Sequence, residues 1–175
     1  MSLNYSAVTL HSRGRLRDII TEVDVGLSES LAIVFGQPFS VTHIKALWDT
    51  GASTTSVSTE FANRVGLQAI DFTKIHGAGG VHDSRIFKID LIIPGTQVRI
   101  NDIEATEFVG NGFDMLIGMD IITLGDFSIT NAGQQTMFSF RIPSDAFHID
   151  YVAMIGSNRE AKAAIERYKR KQHRH

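Results

Sequence analysis

The segment Asp49-Thr50-Gly51-Ala52 contains the side chain that is best placed for acid–base chemistry in this sequence. They follow the apolar run 46–48 and lead into a polar stretch at 53–56, a pattern typical of a strand that ends in a tight turn. A carboxylate held on such a turn can accept or donate a proton during bond cleavage. It cannot, however, be the base toward a water molecule and the acid toward a leaving amine at the same moment.

The Asp-Thr-Gly sequence occurs only once in the chain. The nearest alternative, Asp83-Ser84-Arg85, has no glycine. If the chemistry needs two such carboxylates, the second Asp49 must therefore come from a second copy of the chain. Taken alone, Asp-Thr-Gly also fits an ordinary Asx turn at a strand end, so its meaning depends on the surrounding elements.

The composition predicts a single globular domain. The chain has 175 residues, of which 43% are hydrophobic and 21% are charged, as is usual for soluble proteins. No apolar run approaches the roughly 20 residues that cross a bilayer, and no signal-like segment is present, so we expect no membrane partner. The absence of cysteine excludes disulfides and thiolate chemistry, and we expect a cytoplasmic location.

The charge is concentrated at the C-terminus. Seven basic and two acidic residues lie from Arg159 to the end, which gives this segment a net charge of +5. Because the whole chain has a net charge of −2, the rest of the chain carries −7. We expect a body at 1–150 and a basic helical tail at 151–175, with the helix at about 158–171. The tail lacks interleaved aromatic residues, so nucleic acid is not an expected partner and a solvated helix is favoured.

The body is predicted to be β structure. Alternation of apolar and polar residues indicates strands at 19–27, 39–48, 86–93 and 98–108. In the third of these, the apolar side chains share one face, and Lys88 and Asp90 lie on the other.

Short helices and a hairpin complete the prediction. Helices are expected at 58–65, where Ser58 is a good N-cap residue, and at 119–124. A hairpin is expected between 127–130 and 137–142, because Asn131 and Gly133 suit a positive φ. Many short strands with few helices predict a closed or sandwich-like β fold.

Two further motifs lie downstream of the Asp-Thr-Gly turn. The first is the glycine-rich segment 77–81 between two apolar stretches, which can close over a substrate and offer backbone N–H groups to it. A plain hairpin turn explains this segment equally well, whereas a phosphate loop does not, because no Lys-Ser/Thr follows. The second is Leu116-Ile117-Gly118-Met119-Asp120, an apolar strand that ends in glycine and passes into a short helix.

In this order, the segment 47–53, the glycine-rich segment and the segment 116–120 resemble the retropepsin-like aspartic proteases, the single-lobe type found in retroviruses, retroelements and bacterial relatives. The resemblance spans roughly residues 40–142. It implies an all-β acid protease fold, a closed β-barrel or sandwich with short helices, whose single lobe forms a homodimer, here followed by a C-terminal helix. Trp48 is bulkier than the aliphatic residue usual before the catalytic Asp, and we interpret it as a core anchor.

The resemblance also implies roles for individual residues. Asp49 would be the catalytic acid, sharing a water molecule and one proton with the partner subunit's Asp49. Thr50 would brace the two loops against each other, and Gly51 would permit their close approach. The flap residues would be Gly77, Ala78, Gly79, Gly80 and Val81, and the residues supporting the loop would be Leu116, Ile117 and Gly118. Two-lobed relatives usually have serine in place of Ala52, so a mildly acidic optimum is expected.

The implied function is that of an aspartic endopeptidase, which hydrolyses peptide bonds with water activated between two Asp49 side chains. The partners would be a second subunit and a peptide or protein substrate, which adds as a strand beneath the flaps. No cofactor is expected, and the seven histidines show no metal-binding spacing. One alternative is a proteolytically inactive dimerisation or peptide-binding module of the same fold. A nucleic-acid adaptor has only the basic tail in its favour.

Overall fold

A computed structural model describes residues 5–77, 80–96, 98–110, 112–145 and 148–172. The chain divides into two compact units, Met1–Ser144 and Asp145–His175. The strands are β1 (Ser6–His11), β2 (Ile20–Leu27), β3 (Thr42–Trp48), β4 (Ser56–Ser58), β5 (Asp71–Gly77), β6 (Gly80–Ile92), β7 (Arg99–Phe108), β8 (Met115–Ile117), β9 (Asp126–Thr130) and β10 (Met137–Ile142). The helices are α1 (Glu29–Val34), α2 (Thr59–Val65), α3 (Met119–Ile122) and α4 (Tyr151–Gln172).

Six strands of the first unit form a closed ring. Their order is β2-β3-β8-β4-β7-β6, and the ring closes because β2 also pairs with β6 in antiparallel register. Strand β5 extends this sheet by pairing with β6. The all-β class and the closed barrel predicted from the sequence are therefore confirmed.

Alternating apolar side chains fill the barrel. On β6, Phe87, Ile89 and Leu91 are fully buried, as their shared face predicted. The neighbouring strand β2 contributes Val23 and Val25 to the same core cluster. Removing this apolar surface from water is the main favourable term in folding the barrel.

A second, three-stranded sheet has the order β1-β10-β9, with both pairs antiparallel. Strands β9 and β10 form the predicted hairpin, but its turn differs in detail. Gly133 has the expected positive φ of 63°, whereas Asn131 has a φ of −126° and Gln134 one of 64°. The prediction for Asn131 was wrong because the 3-10 turn at 132–134 places the left-handed conformations at positions 133 and 134.

Helix α2 follows its sequence signals closely. The Ser58 side chain accepts a hydrogen bond from the N–H of Phe61, and Gly66 ends the helix in the left-handed conformation, with a φ of 69°. Phe61 and Ala62 are buried, so this short helix is fastened to the body both by its cap and by its apolar face.

Helix α4 constitutes most of the second unit and begins at Tyr151, seven residues before the predicted start at 158. The Asp150 carboxylate accepts hydrogen bonds from the N–H groups of Val152 and Ala153, at 2.8 and 3.0 Å. This capping explains the earlier start. No helix in the described part of the chain combines the length and apolar character needed to cross a lipid bilayer.

Candidate active site

Asp49 lies on a turn that directly continues a barrel strand. Strand β3 ends at Trp48, and the Asp49 N–H donates a hydrogen bond to the carbonyl of Ile117 on β8 at 3.0 Å. The side chain of Asp49 is half-buried, whereas Thr50 and Gly51 are exposed. The carboxylate is therefore held at the end of a barrel strand and lies beside exposed residues of the turn.

Hydrogen bonds inside the turn fix its shape. The Gly51 N–H donates to Asp49 Oδ1 at 2.8 Å, and the Ala52 N–H donates to the Asp49 carbonyl at 3.2 Å. A Cβ at position 51 would lie 3.1 Å from Asp49 Oδ1. Glycine therefore allows the turn to close tightly around the carboxylate, and the carboxylate still has lone pairs for a water or a substrate.

The support segment Leu116-Ile117-Gly118 lies beside the turn. Strand β8 runs parallel to β3, with Trp48 opposite Ile117, and antiparallel to β4, with Ser56 opposite Leu116. The two strands that enter and leave the turn are therefore held apart by the same three-residue strand.

Gly118 permits the closest backbone contact at this site. A Cβ there would lie 2.6 Å from the carbonyl carbon of Thr54 and 2.8 Å from its oxygen, closer than side-chain atoms can approach. The next residue, Met119, donates its N–H to the Ala52 carbonyl at 2.8 Å. Helix α3 therefore begins directly against the turn.

Thr55 and Asp120 also hold the site, although the sequence did not mark them as a pair. Thr55 is fully buried, and its N–H and Oγ1–H donate to the two carboxylate oxygens of Asp120 at 2.9 and 2.7 Å. Thr55 Oγ1 also accepts the N–H of Gly118 at 3.1 Å. Asp120 comes directly after the recognised strand and glycine, but its partner lies 65 residues away, so no local pattern could identify the contact.

The proposed flap is the end of the β5–β6 hairpin. Gly77 and Gly80 are cross-strand partners, and Gly80 has a φ of 104°, which strongly favours glycine. Val81 is 58% exposed. Ala78 and Gly79 lie outside the described residues. Among the residues that are described, no hydrogen bond joins this hairpin to the 49–52 turn.

The structure therefore brings Asp49, Thr50 and Gly51 together with the support segment. A cleft of about 410 Å³ lies elsewhere, lined by Lys45, Ser58, Glu60, Gly110, Gly112, Phe113 and Asp114. Because this lining does not include Asp49, the cleft does not belong to the candidate site. Within the described ranges, no cluster of three or more His, Asp or Glu side chains is arranged to bind a metal ion.

Comparison with known proteins agrees with this geometry. Residues 39–123 match the family described as "gag-polyprotein putative aspartyl protease", a segment that contains the turn, the hairpin and the support strand. The resemblance drawn from the sequence is thereby confirmed over this segment. Comparison with curated proteins gives no match.

Two solved structures are similar to the chain. A retropepsin-like aspartic protease from Rickettsia conorii is 12% identical, with a TM-score of 0.49, and the alignment covers 81% of this chain and 98% of that one. The retroviral protease-like domain of Ddi1 from Leishmania major is 17% identical, with a TM-score of 0.36 and coverages of 61% and 78%.

The Thr55–Asp120 pair gives a direct test of how the turn is held. Replacing Thr55 with valine keeps the shape of the side chain but removes the hydroxyl that donates to Asp120 Oδ1, and it leaves the Gly118 N–H without its acceptor. We expect Thr55→Val to lower the free energy of unfolding by about 1–3 kcal/mol. Thr55→Ser, which keeps the hydroxyl, should lose much less. Chemical denaturation of both variants measures the difference, and equal losses would show that the hydroxyl is unimportant.

Proposed function

Because residues 39–123 match the gag-type aspartyl protease family, we propose that this protein is an aspartic endopeptidase whose active site forms between the Asp49 side chains of two subunits. The observation that carries the proposal is the Asp49 turn itself. Its carboxylate is oriented by the Gly51 N–H at 2.8 Å, on a turn that a neighbouring strand supports.

The chemistry requires a second carboxylate. Asp120, the carboxylate that follows the support strand, already accepts two hydrogen bonds from Thr55 and serves to hold the structure. Asp-Thr-Gly occurs once, and Thr50 and Gly51 are exposed. A second subunit placed against this surface would supply the partner subunit's Asp49, in a two-fold symmetric arrangement that is common among homodimers.

In this arrangement, the two carboxylates share one proton because two negative charges at such a short distance repel each other. The ionised carboxylate accepts a proton from water while the water oxygen attacks the peptide carbonyl carbon. The protonated carboxylic acid donates its proton to the carbonyl oxygen. Collapse of the tetrahedral intermediate breaks the C–N bond, and the amine nitrogen takes up a proton, so the products are a carboxylic acid and an amine.

The substrate would bind as an extended strand. The β5–β6 hairpin is the proposed flap, and its backbone N–H groups would bind the main chain of the peptide. Recognition through the main chain gives affinity for many sequences, whereas pockets for alternate side chains select among them. The substrate class is therefore an unfolded or extended segment of a polypeptide.

Asp49→Asn tests the catalytic role. The amide oxygen can still accept the Gly51 hydrogen bond, so the fold should be retained while peptide hydrolysis falls by at least about 10³-fold. Cleavage of a peptide library by wild type, Asp49→Asn and the control Asp18→Asn, which alters an exposed carboxylate, measures the effect. Full activity in Asp49→Asn would refute the mechanism. A folded, peptide-binding wild type without any cleavage would instead indicate a binding module.

Mixing wild type with Asp49→Asn tests the shared site. After subunits exchange, mixed dimers have one carboxylate and no complete site, so an excess of the variant should drive wild-type activity toward zero. The same excess of an unrelated folded protein should have no effect. If activity is unchanged after mass spectrometry with an isotope-labelled variant has verified the exchange, each chain works alone and the shared site is wrong.

Ala52→Ser tests the electrostatics of the turn. A serine hydroxyl at this position can donate a hydrogen bond to the ionised carboxylate and stabilise it against protonation. The acidic limb of the pH–activity profile should move to lower pH by about one unit, since a hydrogen bond to a charged group contributes about 1.5 kcal/mol. Ala69→Ser, the same change in a partly buried residue that packs against the core, is the control and should leave the profile in place.

A further inference from the structure

Trp48, the residue directly before Asp49, is the only tryptophan in the chain. Its side chain is 5% exposed and packs among the aromatic rings of the three-stranded sheet. The ring centroids lie 4.8 Å from Phe140, 5.0 Å from Phe138 and 6.0 Å from Phe127, all in tilted geometry. The last residue of β3 is therefore in direct contact with β9 and β10, which belong to the other sheet.

Hydrogen bonds fix Trp48 from other directions. Its N–H donates to the Ile19 carbonyl at 2.9 Å, and the indole Nε1–H donates to Thr21 Oγ1 on β2 at 2.9 Å. On its other side, it pairs with Ile117 of β8. Strands β2, β8, β9 and β10 all restrain this one residue.

The carboxylate of Asp49 has far fewer restraints. Among the described residues, its side chain accepts only the N–H of Gly51, which belongs to the same turn. That bond shapes the turn but does not position it relative to the barrel. The position of the carboxylate therefore depends on the main chain that enters the turn, which comes from Trp48, and on the bond from Asp49 N–H to Ile117.

We propose that Trp48 is a positioning residue for catalysis, through which the aromatic face of the β1-β10-β9 sheet sets the location of Asp49. This inference rests on the proposed peptidase function. A buried indole has a large contact area and a rigid shape, and tilted aromatic pairs add to the packing energy. Two carboxylates that share a water need accurate placement, and a displacement of about 1 Å can cost 10²-fold in rate.

The test compares Trp48→Leu and Trp48→Phe with a core variant away from the turn, Phe87→Leu, whose side chain on β6 is also fully buried. All three are studied where circular dichroism shows that they are folded. We expect kcat to fall by about 10- to 100-fold in Trp48→Leu with KM little changed, and Trp48→Phe to recover most of the loss. Phe87→Leu should change kcat by less than about threefold.

A second measurement does not depend on activity. Amide hydrogen exchange, followed by NMR, reports on the N–H groups of Asp49, Gly51 and Ala52. We expect Trp48→Leu to increase their exchange rates by about tenfold beyond its effect on other barrel amides, whereas Phe87→Leu raises exchange without this local preference.

The outcomes separate the two proposals. Equal effects of Trp48→Leu and Phe87→Leu on both kcat and turn exchange would overturn the role of Trp48. If wild type cleaves no peptide but the local exchange difference is present, the peptidase function fails, and the control of the turn by Trp48 stands. If wild type cleaves peptides and Trp48→Leu keeps full kcat, the peptidase function stands, and the positioning role is refuted.

Discussion

The candidate site depends on β8, a strand of three residues placed between β3 and β4. It holds the strand that enters the Asp49 turn on one side and the strand that leaves it on the other. The Asp49 N–H bonds to its last residue, Ile117. Gly118 then passes so close to the Thr54 carbonyl that no side chain fits between them. The shape of the turn therefore depends on two distant segments of the chain, residues 48–55 and residues 115–118.

Two carboxylates at this site have different environments. Asp120 accepts both hydrogen-bond donors of Thr55, so its charge is compensated inside the structure. Asp49 accepts one turn N–H and lies half-buried beside exposed residues. A carboxylate that accepts hydrogen bonds from the fold at both of its oxygens stabilises the fold, whereas one that accepts a single turn N–H has lone pairs left for water, substrate or a second carboxylate. This difference is the physical reason why Asp49, and not Asp120, is the candidate for chemistry.

Features with a local physical cause could be predicted from the sequence. Alternation placed Phe87, Ile89 and Leu91 on the inner face of β6, and the cap residues Ser58 and Gly66 bounded α2. Features that arise from distant contacts could not. The Thr55–Asp120 pair spans 65 residues. Helix α1 is too short to show a helical period, and its first N–H is held by Asp90, a buried carboxylate 61 residues away. In each case, the partner is close only after the barrel has closed.

Trp48 and Asp49 show how one strand can serve both the core and the site. Successive residues of an extended chain point to opposite faces: Trp48 is buried, and the candidate residue Asp49, which follows it, is half-buried beside exposed residues. An aliphatic residue at position 48 would contact only residues of the barrel. An indole reaches further, to the aromatic rings of β9 and β10 and to the hydroxyl of Thr21. This one side chain thus contacts both sheets at the end of β3, and because a single peptide bond joins it to Asp49, the packing of the core restrains the main chain that enters the turn.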